Sequence, residues 1–258
     1  MPRRVDYDPQ PKVPPSRKDP VQVHLRLPPV DGVVRWHQHR WGQLVCPRKG
    51  NIRVRAAGTM WMVPTFRAVW IPPAVDHEVT MLGRVEFHVA YVEPRRAPLP
   101  LKACRVMTVT PLMQGLLESL AGQNEPASLR RQLRGRLLLE EMRQAESLRL
   151  GLPLPTDRRL ANLCDALIDE PGSSLTLAGW ARRIGASERT LARLFKDQLD
   201  ISFGAWRRQL RLVRAIDLLG RGMSITAVSA ESGYANATAF TWMFKRALGF
   251  PPSQLRAE

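Results

Sequence analysis

The sequence predicts an α+β protein of two domains, an N-terminal β-sandwich or barrel and a C-terminal all-helical domain. Three observations carry this reading. Residues 21–110 alternate apolar and polar side chains in short runs between Gly and Pro turns, the period of half-buried strands. From residue 111 the apolar spacing becomes that of a helix. Residues 157–258 contain a helical unit that occurs twice.

Taken in order, residues 1–20 hold many prolines and charges with almost no apolar pattern, so a flexible basic arm is expected. Val21–Leu27 alternates as a strand, and Gln43–Cys46 follows. A turn is expected at Pro47–Gly50, before a second alternating run at Ile52–Ala56. Trp61–Pro64 and Ala68–Pro73 are apolar bursts cut by prolines, and Val85–Tyr91 closes the strand series. In 111–150, Leu112, Leu116, Leu117 and Leu120 share one helical face. Leu129, Leu133, Leu137, Leu138 and Met142 share another, and this segment is expected to mediate dimerisation or coupling. Residues 151–156, with prolines at 153 and 155, read as a linker.

The repeat lies in 157–258. Leu177, Trp180 and Gly185 align with Ile225, Val228 and Gly233; beyond the glycine, Leu191, Phe195, Lys196 and Leu199 align with Phe240, Phe244, Lys245 and Leu248. Each unit reads as a short helix, a Gly turn, a capping residue (Ser187; Asn236 or Thr238) and a second helix. That is a helix-turn-helix, with units at about 177–198 and 225–248. The second helix of such a unit enters the major groove. Its outward residues are Arg189, Thr190, Arg193 and Lys196 in the first unit and Thr238, Thr241, Trp242 and Lys245 in the second. Arginine reads guanine through two parallel N–H bonds, whereas Trp242 offers stacking or contact with a thymine methyl. Between the units, Trp206, Leu210, Val213 and Ile216 form the apolar face of a joining helix whose arginines are placed to meet phosphates.

Composition narrows the class. The chain has 258 residues, 44% hydrophobic and 24% charged, an ordinary globular balance. Its 39 Lys+Arg against 23 Asp+Glu give a net charge of +16, which attracts polyanions. The excess is spread over both halves, so local pattern rather than total charge must locate a site. No apolar run reaches the roughly 18 residues of a membrane span, and no secretory signal is expected. Cys46, Cys104 and Cys164 are scattered and form no Cys-x-x-Cys pair, so a reducing, cytoplasmic setting fits and a thiolate zinc site does not.

With these residues in view, 157–258 resembles the DNA-binding domain of the AraC/XylS-type bacterial transcription regulators. The most specific stretch is Gly233-Tyr234 at the turn, Phe244-Lys245-Arg246 ending the recognition helix, then Gly249, Pro252 and the closing Leu255-Arg256. The resemblance implies two helix-turn-helix units joined by a long helix and acting at promoters, as activator or repressor. Trp242 stands where the family often carries arginine, and Gly179 replaces a more usual helix former.

The N-terminal half resembles a cupin. His37 and His39 lie two apart on an expected strand, so both rings share a face. Gly32 precedes them and Gly50 ends the first motif; Pro72 and His77 keep their places in the second. Gln43 stands where cupin enzymes usually carry Glu, Ala74 replaces a glycine and Met81 an asparagine. The resemblance implies that His37, His39, Gln43 and His77 converge as an effector site or a metal site. No cofactor is assigned, and a divalent first-row metal is the candidate one, since neutral imidazole suits such ions. His88 is expected to be a lone core or surface histidine. Of Trp36, Trp41, Trp61 and Trp70, most are expected in the core. Trp41–Cys46 and Ala68–Pro73 resemble the branch of these regulators that controls efflux genes of the nitroimidazole-resistance type.

The expectation is a one-component regulator and not an enzyme. A cupin-like barrel (21–110) senses a small molecule, and 157–258 binds double-stranded promoter DNA, with an efflux transporter gene as a candidate target. A homodimer and contact with RNA polymerase complete the expected partners. The alternative is a metal-dependent, dioxygenase-like cupin enzyme with a helical appendage, which Gln43 disfavours.

Overall fold

The computed structural model describes residues 14–65, 67–99, 103–121, 128–148, 150–170 and 172–255. Residues 1–13 of the expected arm lie outside them. The strands are β1 (Val21–Arg26), β2 (Val33–His37), β3 (Gly42–Ala56), β4 (Thr59–Val63), β5 (Arg67–Ile71), β6 (His77–Val92) and β7 (Arg105–Thr108). Helices α1 (Pro111–Ala121) and α2 (Leu129–Gln144) follow, then β8 (Ser147–Leu148) and β9 (Gly151–Pro153). The rest is helical: α3 (Arg158–Asp169), α4 (Leu177–Ile184), α5 (Glu188–Leu199), α6 (Phe203–Gly220), α7 (Ile225–Glu231) and α8 (Ala237–Leu248). The chain divides into two compact units, one of Met1–Ala57 with Met62–Arg149 and one of Gly58–Trp61 with Leu150–Glu258. A sheet-rich N-terminal part and a helical C-terminal part make the α+β class expected above.

In the first unit the antiparallel path is β1-β6-β3-β5-β7-β8. β1 and β2 run in succession along one edge of β6, while β3 pairs along its other edge from Gly42↔Val92 to Ala56↔His77. The turn expected at Pro47–Gly50 is therefore corrected. β3 passes straight through it, with register shifts between Pro47, Lys49 and Asn51. A bulge absorbs the proline's missing donor and leaves the ladder with β6 intact on both sides. Strand alternation divides the sheet into two faces. Val21, Val23, Leu44, Cys46, Trp70, Ala90 and Val92 pack with Met113, Leu116, Leu117, Leu120, Leu138 and Met142 of α1 and α2 in one core. Gln43 and its partner across the ladder, Tyr91, take the opposite face.

The helical faces differ from expectation in two respects. Leu112 is exposed, and Met113 takes its place in the core. On α2 the leucines separate into two sets. Leu138, Leu139 and Met142 are buried, whereas Leu129, Leu133 and Leu137 are 72%, 53% and 43% exposed.

In the second unit, the expected linker at 151–156 is partly strand. Gly151–Pro153 pairs with Thr59–Trp61. The Trp206 indole donates to Pro153 O at 2.8 Å, and the Gln209 amide donates to Gly151 O. Pro153 and Pro155 forbid helix here, but an extended segment at a sheet edge accepts proline. The helices of this unit are set by side-chain caps. Asp157, Thr176, Ser187, Ser202, Ser224 and Asn236 each accept from a backbone N–H of the first turn, an interaction typically worth about 1 kcal/mol. Trp206, Leu210, Val213 and Ile216 of α6 are all buried, as the apolar spacing requires.

Candidate DNA-binding face and candidate sensor site

α4 and α5 form one helix-turn-helix, α7 and α8 the other. Each turn holds a glycine in the left-handed region, Gly185 at φ 74° and Gly233 at φ 70°, where a side chain is disfavoured. Ser187 and Asn236 then cap the second helices; of the two expected caps in the second unit, Asn236 takes the role. Leu191, Leu194, Phe195 and Leu199 turn α5 inward, as Phe240, Phe244 and Leu248 do α8. This leaves Arg189, Arg193 and Lys196 exposed on α5, with Thr190 half-buried and its hydroxyl 2.8 Å from that of Ser187. On α8, Thr238, Trp242 and Lys245 are exposed and Thr241 is half-buried.

Arg193 lies 3.9 Å from Asp197, and Lys196 pairs with Asp200. Exposed pairs of this kind contribute about 0.2–1 kcal/mol, so both cations are free to exchange their partner for a phosphate or a base edge. Trp242 is 64% exposed and Arg246 sits over its ring at 5.1 Å. Sequence reading of the site omitted Arg246, although it belongs to the Phe-Lys-Arg ending; its i,i+4 spacing from Trp242 was the available signal. The stack puts a guanidinium beside the indole, near the position where arginine is frequent in the family.

In the first unit, the two motifs that carry His37, His39 and His77 meet. The β2–β6 register sets His37 directly opposite His77, with ring centroids 4.2 Å apart. His39 lies beyond the end of β2, so the expectation of two histidines alternating on one strand is corrected. His39 reaches the cluster because the Ala74 N–H donates to His39 O at 2.8 Å, tying the two motifs together. Ala74 adopts φ 58°, the left-handed conformation that the glycine of related motifs takes without strain. The ligating nitrogens of His37, His39 and His77 all lie within 4.8 Å of one another.

Protonation follows from the partners. Nδ1 of His37, His39 and His77 faces the carbonyl of Arg35, Trp41 and Val75 at 2.8, 2.7 and 2.9 Å respectively. A carbonyl only accepts, so each Nδ1 carries a proton and Nε2 is the nitrogen left to offer a lone pair. Two of these, on His39 and His77, lie 2.9 and 3.1 Å from Gln43 Oε1. His37 Nε2 is buried with no hydrogen-bond partner among the described residues. Burial pushes the His77 pKa down to about 3 and lowers that of His39 despite the bonds that oppose it, so both rings are neutral at pH 7.

Three ring nitrogens within 4.8 Å of one another, with each Nδ1 held by a backbone carbonyl, is an arrangement that metal-ligating histidines share. An amide at Gln43 serves this arrangement in two ways. Its oxygen can join three imidazoles around a cation. Turned over, its NH2 can donate one N–H each to His39 and His77. Trp41 stacks on His39 (5.6 Å, 12°), and Tyr91 meets both edge-on. Tyr91 is a site residue that sequence reading missed; its signal was the alternation that sets it across from Gln43. Trp61 and Trp70 are core, whereas Trp36 is 52% exposed. His88 is buried, apart from the cluster.

Residues 180–258 match the family described as a helix-turn-helix domain. The chain is 33% identical over 223 residues to the HTH-type transcriptional regulator NimR of Escherichia coli (strain K12), which covers 84% of this chain and 80% of that protein. It is 32% identical over 124 residues to the arabinose operon regulatory protein of the same strain, covering 46% of this chain and 42% of that protein. A crystal structure of a transcriptional regulator with an AraC-type DNA-binding domain from Chromobacterium violaceum is 25% identical, covers 38% of this chain and 88% of that one, and superposes with a TM-score of 0.36.

The duplicated helix-turn-helix and this relationship define a DNA-binding transcription regulator. The chain belongs to the AraC family of such regulators. The alternative of a cupin enzyme is set aside, because its relatives over most of its length are regulators.

Proposed function

We propose that α5 and α8 read two successive major-groove faces of a promoter, and that the histidine cluster of the first unit senses a small molecule. The observation that carries the first part is the repeated, side-chain-capped helix whose outward residues are Arg189, Thr190, Arg193 and Lys196 in one copy and Thr238, Thr241, Trp242 and Lys245 in the other. Arg193 and Arg189 are the base readers, Lys196 and Lys245 the phosphate contacts, and Trp242 the apolar contact. Half-sites one DNA turn apart are spaced by about 34 Å. Footprinting with residues 157–258 tests this: protection of two adjacent major-groove faces is expected, and protection of one groove, or none, counts against it.

The sensing part rests on the convergence of His37, His39 and His77 on Gln43. That convergence supports the cupin-like reading of 21–110, and the packing of α1 and α2 on the sheet supports 111–150 as the coupling segment. The residues present fit a divalent first-row ion: His37, His39 and His77 would hold it through Nε2, with Gln43 Oε1 as a neutral fourth donor. Such an ion supplies a Lewis-acid centre for a polar effector. A protein without the ion would meet the effector directly with the same nitrogens, as buried polar groups require partners.

The exposed Leu129, Leu133 and Leu137 of α2 support a homodimer through that helix. Among the described residues no helix is long and apolar enough to cross a membrane. A cytoplasmic regulator, contacting RNA polymerase at the promoter of an efflux transporter gene, is the setting these features suit.

A further inference from the structure

Away from the histidines, the first unit has a groove of about 460 Å³, within the usual size range of small-molecule sites. Its charged lining is Arg17, Lys18, Arg96, Arg136 and Arg143 against a single carboxylate, Glu140. Glu140 is already engaged, by Arg143 at 2.6 Å and by Gln144 at 3.0 Å. Among the described residues, no ion pair to Arg17, Lys18, Arg96 or Arg136 is formed. Three separate pieces of chain bring these cations together: the turn before β1, the short helical turn Pro94–Arg96 and α2.

The convergence is held by buried chemistry and not by the cations themselves. Arg131 of α2 is 5% exposed. It donates to Asp19 Oδ2 at 3.1 Å and to Leu120 O at 3.3 Å. Gln22 also donates to Asp19 Oδ2, and Asp19 N–H bonds back to Ser16 Oγ. The only carboxylate of the turn is thus spent on the clamp, while Arg17 and Lys18 are pinned beside Arg136. The Glu93 N–H donates to Pro20 O at 2.9 Å and brings Arg96 to the same rim. A solvated cationic face spreads its charges; here the fold gathers them around a concavity floored by the buried Leu139.

We infer that this groove binds a small organic oxyanion carrying several negative charges, phosphate or carboxylate. Planar guanidiniums on three sides match such oxyanions with paired N–H bonds, and the volume exceeds what a single inorganic ion fills. An occupant bridges α2, the helix of the exposed leucines, to the turn before β1, so its binding stiffens that helix.

The full-length chain is titrated calorimetrically with tripolyphosphate and, separately, with citrate at constant ionic strength. One saturable site per chain is expected for at least one probe. Arg96→Gln with Arg136→Gln should weaken it by about tenfold or more, since both variants remove charge-assisted hydrogen bonds to the oxyanion. Arg193→Gln with Lys196→Gln, in the other unit, should leave it unchanged. Tripolyphosphate binding alone identifies a phosphate ligand; citrate binding alone identifies a polycarboxylate. Equal loss in both double variants means general polyanion attraction and overturns the proposal. So does a chain that binds duplex DNA but neither probe.

Discussion

Gln43 Oε1 stands 2.9 Å from the unprotonated nitrogen of His39, and the same oxygen stands 3.1 Å from that of His77, which joins the first sequence motif to the second. An imidazole removed here leaves a buried amide with one of its two imidazole partners lost. His39→Ala should therefore abolish the effector response of a promoter reporter while the helical unit still binds DNA. Metal analysis of tag-free protein separates the two versions of the site. A stoichiometric first-row metal that disappears in His39→Ala supports an ion, and its absence from wild type supports direct ligand contact. A wild-type response in both His39→Ala and His77→Ala would show the cluster to be structural.

Arg193 tests the DNA face. If its guanidinium reads a base, Arg193→Ala should cost about 1–3 kcal/mol and relax preference at one or two positions only. Quantitative binding to a panel of single-base operator variants reads this directly. Equal weakening on every sequence would reassign Arg193 to the phosphates.

The α2 leucines set the third expectation. Leu133 and Leu137 lie outside the buried core of their own unit, 53% and 43% exposed, yet full leucine burial contributes about 1.5–3 kcal/mol per side chain. Leu133→Asp with Leu137→Asp should give monomers by sedimentation with the circular dichroism of the folded chain. A double variant that stays dimeric puts the interface elsewhere.

Stability should fall on acidification. Burial lowers the His77 and His88 pKa values to about 3 and about 4. Unfolding returns both to the model-compound value near 6.5. Each ring is kept neutral by the fold, so unfolding takes up protons below pH 6.5. The stability these rings allow is complete above that pH, declines below it and levels off beneath about pH 3–4. Urea midpoints of the chelator-treated protein between pH 7.5 and pH 4 measure the slope, and His88→Leu should flatten it. An unaltered slope in that variant would remove His88 from the account.

Ala74 offers a conformational check. A left-handed non-glycine residue costs roughly 1–2 kcal/mol, which a glycine regains in part because it loses more freedom on folding. Ala74→Gly should thus be neutral or stabilising by up to about 1 kcal/mol in urea unfolding. A clear destabilisation would mean that the alanine methyl packs where glycine leaves a void.

The helical half was legible in the sequence because its information is local. Periodicity, cap residues and turn glycines act within a few positions, so α4, α5, α7 and α8 and their outward residues follow from spacing alone, and the repetition of the unit named its purpose. The sheet was less legible because pairing partners are distant in the chain. Nothing near Pro47 says that β3 continues past it; the ladder offered by β6 decides that. His39 looked like a strand residue beside His37, yet a bond from Ala74, far along the chain, holds it in place. Tyr91 and Arg131 were passed over for the same reason. Their roles depend on Gln43 and Asp19, which lie nowhere near them in sequence. Local rules determined which residues could carry the chemistry. Only long-range pairing and burial decided which of them meet, because a buried polar atom must find its partner wherever the fold brings one.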